Sequence, residues 1–272
     1  MLGSALIVFR ETLEAALLIG ILAAASRGLS GRNLWLSIGI AIGLAGALVV
    51  AGLTGYIAEM AEGTGQELFN AAVLGAAVVM LGWHNIWMAR HGRQMAAQAK
   101  SVGLEVQSGR REMSALAALI ALAVLREGSE TVLFLYGLAM DDRSGALSMF
   151  SGGMFGLLGG IAVGSMLYAG LVRIPVRHFF TVTGMLILFL AAGMAAQMAR
   201  FLVQGDVIPF LTAPLWDTSS VLPMNSFLGN LLHLFAGYDA RPSGIQVLFY
   251  TLTLGAILFG MSRNRAPSLR TT

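Results

Sequence analysis

The chain has 272 residues, of which 57% are hydrophobic and only 11% are charged, against about 25% charged in a soluble domain. That balance excludes a water-soluble globular protein, and the net charge of +3 does not mark a nucleic-acid binder, because the basic residues sit in short loops. There is no cysteine, which excludes disulfides, thiolate metal sites and thiol redox chemistry.

Seven apolar segments follow one another, each near the length of roughly 20 residues that crosses a bilayer as a helix. A single span must satisfy its own backbone hydrogen bonds, so all seven are expected to be helical, and the fold class is all-α. The first, about 2–26, is interrupted by Arg10, Glu11 and Glu14, and it continues past these charges, too far for a cleavable signal peptide. The second, about 34–57, carries Gly39, Gly43, Gly46 and Gly52. Spaced small residues of this kind let helix backbones approach closely. The third, about 68–88, follows Glu59, Glu62 and Glu67 and holds His84, Asn85 and Trp87 toward its other end. Those three read as a polar cap beside a tryptophan anchor at the membrane interface, with an exit-side ligand as the alternative. A basic stretch, 91–113, has the look of an amphipathic surface helix suited to membrane lipid headgroups.

The fourth segment, about 114–139, repeats the interruption with Arg126, Glu127 and Glu130, and Asp141 and Asp142 follow it. The fifth, about 146–172, carries Gly152, Gly156, Gly160 and Gly164. The sixth is about 178–204 and the seventh about 243–262, separated by a connection of nearly 40 residues that contains Asp217 and His233. Connections that long are usually functional or contain short helices.

Charge orients the chain. The connections after segments 1, 3 and 5 and the C-terminal tail hold Arg27, Arg32, Arg90, Arg93, Lys100, Arg110, Arg111, Arg173, Arg177, Arg263, Arg265 and Arg270, while the opposite connections hold only Arg143 and Arg241. The positive-inside rule then places the N-terminus outside and the C-terminus in the cytoplasm of a cell (plasma or inner) membrane. Segments 1–3 and 4–6 share an R-E-x-x-E motif in the first member and a glycine row in the second. Three spans per unit turn the second copy over, and such inverted repeats place substrate near the bilayer midplane. The expected organisation is a first three-helix repeat (1–90), a basic cytoplasmic loop (91–113), a second inverted three-helix repeat (114–204), an extracytoplasmic loop (205–242), and a seventh helix with a basic tail (243–272).

The two motifs hold every carboxylate placed deep in a span. Residues three and four apart share a helix face, so Glu11, Glu14 and Arg10 group together, as do Glu127, Glu130 and Arg126. A charge at the bilayer centre costs about 2.5–3.5 kcal/mol even on lenient scales, so six of them need partners and a use. Four carboxylates and two guanidiniums leave a formal −2, which a divalent cation neutralises. Oxygen-only ligands favour hard cations. Pairing within each motif for packing alone leaves one glutamate per helix without a cation. Glu59, Glu62, Glu67, Asp141 and Asp142 are candidate cation-gathering acids at the outer mouth.

RETLEA (10–15), REGSE (126–130), GQELFNAAV (65–73), LWDTSSVLP (215–223) and GYDARPS (237–243) together resemble the oxidase-linked iron permeases, which include fungal high-affinity permeases and bacterial EfeU-type transporters. The resemblance runs over nearly the whole chain. It departs at Asn70, where bacterial relatives often carry an acid. It implies a permease, not an enzyme, that moves iron as Fe²⁺ or Fe³⁺ without an organic cofactor. It also implies that Glu11, Glu14, Glu127 and Glu130 handle the ion with support from Arg10 and Arg126, and that an extracytoplasmic oxidase or iron-delivery protein is the partner. Residue chemistry alone leaves a proton relay through a buried glutamate, a structural membrane subunit that the charges disfavour, and two further readings. One is a transporter of Mn²⁺, Mg²⁺ or Ca²⁺. The other is a membrane di-iron carboxylate enzyme, which the missing Glu-x-x-His pairs disfavour.

Overall fold

The computed structural model describes residues 1–60, 65–141, 145–170, 176–224 and 226–263. Its regular elements are all helical: α1 (Leu2–Ala25), α2 (Arg32–Met60), α3 (Gln66–Gln107), α4 (Ser114–Asp141), α5 (Gly145–Tyr168), α6 (Val176–Gln204), α7 (Phe227–Ala236) and α8 (Gly244–Arg263). None of the six prolines falls inside these helices, so no backbone ladder is broken where a bilayer offers no water to mend it. Among the described residues, five stretches are long and apolar enough to cross a membrane: Arg32–Tyr56, Gln66–Met88, Gly145–Tyr168, Thr181–Gln204 and Gly244–Arg263. α1 and α4 have the length, at 24 and 28 residues, but carry the two charged motifs.

The chain divides into two compact units. The first comprises Met1–Ala61 and Arg93–Phe180. In it α1 packs on α5, α2 packs on α4, and α1 meets α4. Glycines make the first two interfaces. A side chain at Gly152 would collide with Met1, at Gly156 with Ala5 and Phe9, at Gly160 with Thr12, and at Gly164 with Ala16. On the other side Gly39 abuts Ala117 and Ile120, Gly43 abuts Ala121 and Val124, Gly46 abuts Leu125, and Gly128 abuts Ala47.

These contacts share one register. α4 is offset from α1 by 116 residues (Arg10 to Arg126), and α5 from α2 by 113 (Gly39 to Gly152). With those offsets Met1–Gly152 maps onto Ala117–Gly39, Ala5–Gly156 onto Ala121–Gly43, Phe9–Gly159 onto Leu125–Gly46, and Thr12–Gly160 onto Gly128–Ala47. Numbers rise together across both interfaces, so α1 runs parallel to α5 and α2 parallel to α4. Short connections turn the chain back between α1 and α2 and between α4 and α5, so α1 and α4, which pack together, run in opposite directions.

Residues 91–113, read from the sequence as a surface loop or surface helix, differ in the structure. α3 continues unbroken to Gln107, and Ala99 and Val106 join Leu22, Leu116, Ile120 and Val124 in a buried apolar cluster. Gly103 seats against Ala25, and Gln107 Nε2 donates to Arg27 O at 3.1 Å. The small residues at 99 and 103 allow the approach, while Lys100 stays exposed. The arm is thus a packed helix with one polar face.

The second unit comprises Glu62–Gly92 and Thr181–Thr272. Gly75 faces Met198 of α6, Gly82 faces Ile257 of α8, and Gly260 of α8 faces Ile86 of α3. His84 and Asn85, expected at an interface, are instead buried, and Asn85 Nδ2 donates to Gly184 O at 2.9 Å. An amide bonded to a helix carbonyl is satisfied inside the unit and needs no headgroup.

The segment after α6 is folded rather than open. Leu215 N donates to Pro242 O and Thr218 N to Ala240 O, both at 2.9 Å, and Tyr238 Oη donates to Leu222 O at 3.0 Å. α7 starts at a Ser226 cap whose Oγ accepts from Gly229 N, and it ends at left-handed Gly237. Arg241 pairs with Asp217 at 2.7 Å. That guanidinium, with the Ser219 hydroxyl, holds the Asp217 carboxyl well below the usual carboxylate range.

Candidate metal centre

The two motifs lie on α1 and α4 of the first unit, at the level where the glycine interfaces hold those helices to their neighbours. Helical spacing sets the local pairings. Arg10 Nε donates to Glu14 Oε1 at 3.0 Å, one turn away. In the second motif Arg126 reaches both acids, with Nη2 3.0 Å from Glu127 Oε1 and Nε 3.2 Å from Glu130 Oε1. Arg126 Nη1 also donates to Met95 Sδ at 3.8 Å, a contact made by the packed arm of α3. Ser129 and Thr131 return their hydroxyls to the carbonyls of Arg126 and Glu127, which leaves the α4 ladder intact around the charges.

Burial is deep. Arg10, Glu11, Glu14 and Glu127 are 1–3% exposed. Charges so enclosed are costly unless paired or joined to a metal. One carboxylate oxygen from each of Glu11, Glu127 and Glu130 lies within 4.8 Å of the others. Metal–oxygen bonds of about 2.0–2.6 Å allow oxygens to stand up to roughly 4–5 Å apart across the ion, so this triangle can close on a hard cation with small side-chain movements. Glu127 Oε2 is buried and accepts no hydrogen bond among the described residues, which leaves it available to a ligand.

The structure therefore joins three of the four motif glutamates, one from α1 and two from α4. Glu14 stands outside that triangle, held by Arg10. Among the proposed outer acids, Glu67 is exposed at the start of α3, in the second unit. Glu62 and Asp142 lie outside the described residues, as do the side chains of Glu59 and Asp141 at the ends of α2 and α4. Met95 had no sequence signal: it is 31 residues from Arg126, inside a polar stretch, and only the continuation of α3 brings it near.

Residues 1–262 match the iron permease FTR1 family. The chain belongs to that family. It is similar to the ferrous iron permease EfeU of Escherichia coli O6:H1, at 34% identity over 258 residues that cover 92% of this chain and 91% of the relative. EfeU of Shigella sonnei is 34% identical over 257 residues, with the same coverage of both chains. EfeU of Yersinia pestis is 32% identical over 263 residues, covering 93% of this chain and 91% of the relative. No solved structure matches the chain. This iron permease is a multi-pass membrane protein that transports iron and is not an enzyme. The di-iron enzyme reading is set aside on that finding.

Proposed function

We propose that the permease carries iron as Fe²⁺ into the cytoplasm through a site formed by both R-E-x-x-E motifs. The observation that carries this reading is the triangle of carboxylate oxygens from Glu11, Glu127 and Glu130. These oxygens replace part of the ion's hydration shell, and the formal −2 of the two motifs balances a divalent charge. The relatives named as ferrous iron permeases support the same oxidation state. Arg126 holds Glu127 and Glu130 apart when no ion is present, and Arg10 does the same for Glu14, which acts as the next carboxylate along α1. Glu59, Glu62, Glu67, Asp141 and Asp142 gather cations at the outer mouth. An extracytoplasmic oxidase or iron-delivery protein supplies the ion.

The proposed frame is a seven-span protein with an inverted 3+3 repeat and one added helix, N-terminus outside and C-terminus cytoplasmic. The four matched contacts between the α1–α5 and α2–α4 interfaces support it, because they relate α1 to α4 with opposite direction. The basic residues of the connections support the orientation. The chain has no cysteine, so single cysteines at Ser30 and Ser108 can be labelled directly from either side. Both should react only from the cytoplasm; reaction from outside would overturn the orientation. For the site, ⁵⁵Fe uptake is measured with Glu→Ala at positions 11, 14, 127 and 130 at equal membrane abundance. Uptake is expected to fall at each. Normal uptake in all four variants would remove the site from the transport path.

A further inference from the structure

The second unit contains a cavity of about 410 Å³ among α6, α7, α8 and the segment joining them. Its walls are mainly apolar and aromatic, with Trp216, Tyr238 and Tyr250 among them; of the ionisable groups on the wall, His233 Nδ1 bonds to Tyr238 O and Asp239 Oδ1 accepts from Arg241 N. The tyrosine hydroxyls are already engaged, Tyr238 with Leu222 O and Tyr250 with Ala236 O. Gln197 differs. It lines the cavity, is 7% exposed, and its amide makes no hydrogen bond to any described residue. An amide with no protein partner at the wall of a cavity can bond to whatever fills it.

The walls decide the ligand's class. A hydrated cation or anion would give up its shell to apolar surface and gain little in return. An apolar body with one hydrogen-bond acceptor fits both the walls and the amide, and the volume is in the range of small-molecule sites. The surroundings decide its source. Val247 and Thr251 of α8 line the cavity, and the next residues on that helix, Leu248 and Leu252, are exposed apolar side chains on a stretch able to cross a membrane. Trp216 and Leu232 are also exposed at the cavity. Exposed leucines on a spanning helix face lipid, and a tryptophan beside a short amphipathic helix such as α7 marks the membrane–water boundary. The lining residues Val247 and Thr251 thus each stand one position from an α8 residue that faces lipid.

We infer that this cavity is a phospholipid site: an acyl chain occupies it and the glycerol ester carbonyl accepts a hydrogen bond from Gln197 Nε2. The test uses the full-length permease in phosphatidylglycerol nanodiscs, released into native mass spectrometry. The wild-type protein should retain one phospholipid through collisional activation. Gln197→Leu removes one hydrogen bond and should lower retention about tenfold. Ala196→Phe should abolish retention by filling the cavity. A second measurement does not depend on either variant folding normally. With Trp35, Trp83 and Trp87 changed to Phe, Trp216 fluorescence should be quenched by phosphatidylglycerol brominated in its acyl chain and shielded from aqueous iodide. Equal retention by wild type and both variants would overturn the proposal. So would quenching of Trp216 by iodide but not by brominated lipid, or its quenching by Fe²⁺ alone in a manner lost in His233→Ala, which would make the cavity a metal site.

Discussion

RETLE in α1 and REGSE in α4 are copies at the level of backbone packing and differ at the level of side chains. Thr12 meets Gly160 where Gly128 meets Ala47, and each motif begins nine residues after a contact of the same kind, at Met1 and Ala117. Yet Arg10 is 2% exposed and holds one glutamate, whereas the Arg126 side chain is 32% exposed and holds two glutamates and a methionine sulfur. Backbone register is set by glycines that tolerate no displacement, so it is shared. Side-chain surroundings are set by what packs behind each helix, and Met95 of the α3 arm meets REGSE. One copy is sealed and the other is partly exposed at its arginine, within the same frame.

The largest effect should come from the carboxylates that the two copies share. Glu127→Gln keeps the shape, removes the charge, and takes one corner from the oxygen triangle; Glu11→Gln does the same from the other helix. Both should reduce iron uptake to near background, and both should lower Fe²⁺ binding by about 10–100-fold or more, since even indirect partners of metal ligands cost that much. Glu14→Gln should cost less binding than either, because Glu14 lies outside the triangle. Isothermal titration with Fe²⁺ under anaerobic conditions measures the order. Equal losses at positions 11 and 14 would break the distinction between triangle and flank.

The arginines should separate the copies. Arg10→Ala takes the guanidinium away from a buried Glu14, and breaking a buried pair from one side costs about 3–5 kcal/mol. Arg126 is less enclosed than Arg10, its side chain being 32% exposed, so Arg126→Ala should cost less stability. It should instead disturb iron binding more, because both of its partners belong to the triangle. Thermal unfolding in detergent and Fe²⁺ titration of the two variants should therefore rank them in opposite orders. The same order in both assays would mean that the side-chain difference has no functional weight.

The glycine rows test the shared part. Gly156→Val and Gly43→Val occupy equivalent places, each against the backbone of a motif helix. Overpacking of a tight core typically costs about 1–3 kcal/mol. The two variants should lose similar stability, by urea or thermal unfolding. A loss confined to one would show that the interfaces are not copies in energy, whatever their register.

Much of this was legible in the sequence, for reasons specific to its parts. Charge in an apolar helix is expensive, so Arg10, Glu11, Glu14, Arg126, Glu127 and Glu130 stood out, and their equal spacing suggested a common use. The glycine rows stood out too, but only coordinates could show that Gly152 answers to Gly39 through Met1 and Ala117. The α3 arm was hidden because its buried face is made of Ala99, Gly103 and Val106, small residues that leave a weak periodic signal in a polar stretch. The folded segment around α7 was hidden for another reason: its hydrogen bonds join residues more than 20 apart, such as Leu215 to Pro242 and Thr218 to Ala240. Local pattern does not record such pairings.

The smallest effect should come from Met95, and it bears most directly on why the copies differ. A thioether is a weak acceptor, so Met95→Ala removes one weak contact and some packing. Stability should fall by about 1 kcal/mol or less at a half-buried site, because the neighbours can partly collapse into the space. The effect should be local to REGSE. Arg126 would lose the group that keeps Nη1 turned toward the α3 arm and would be freer to swing away from Glu127 and Glu130. Fe²⁺ affinity should then shift by a few-fold, in the direction seen for Arg126→Ala but smaller. The two changes should not add: once Arg126 is alanine, Met95→Ala should do nothing further to iron binding, since its only route to the site has been removed. A double-mutant cycle on Fe²⁺ affinity reads this directly. Independent effects of Met95 and Arg126 would mean that the α3 arm acts on the permease by another path, and that the asymmetry between RETLE and REGSE must be traced elsewhere.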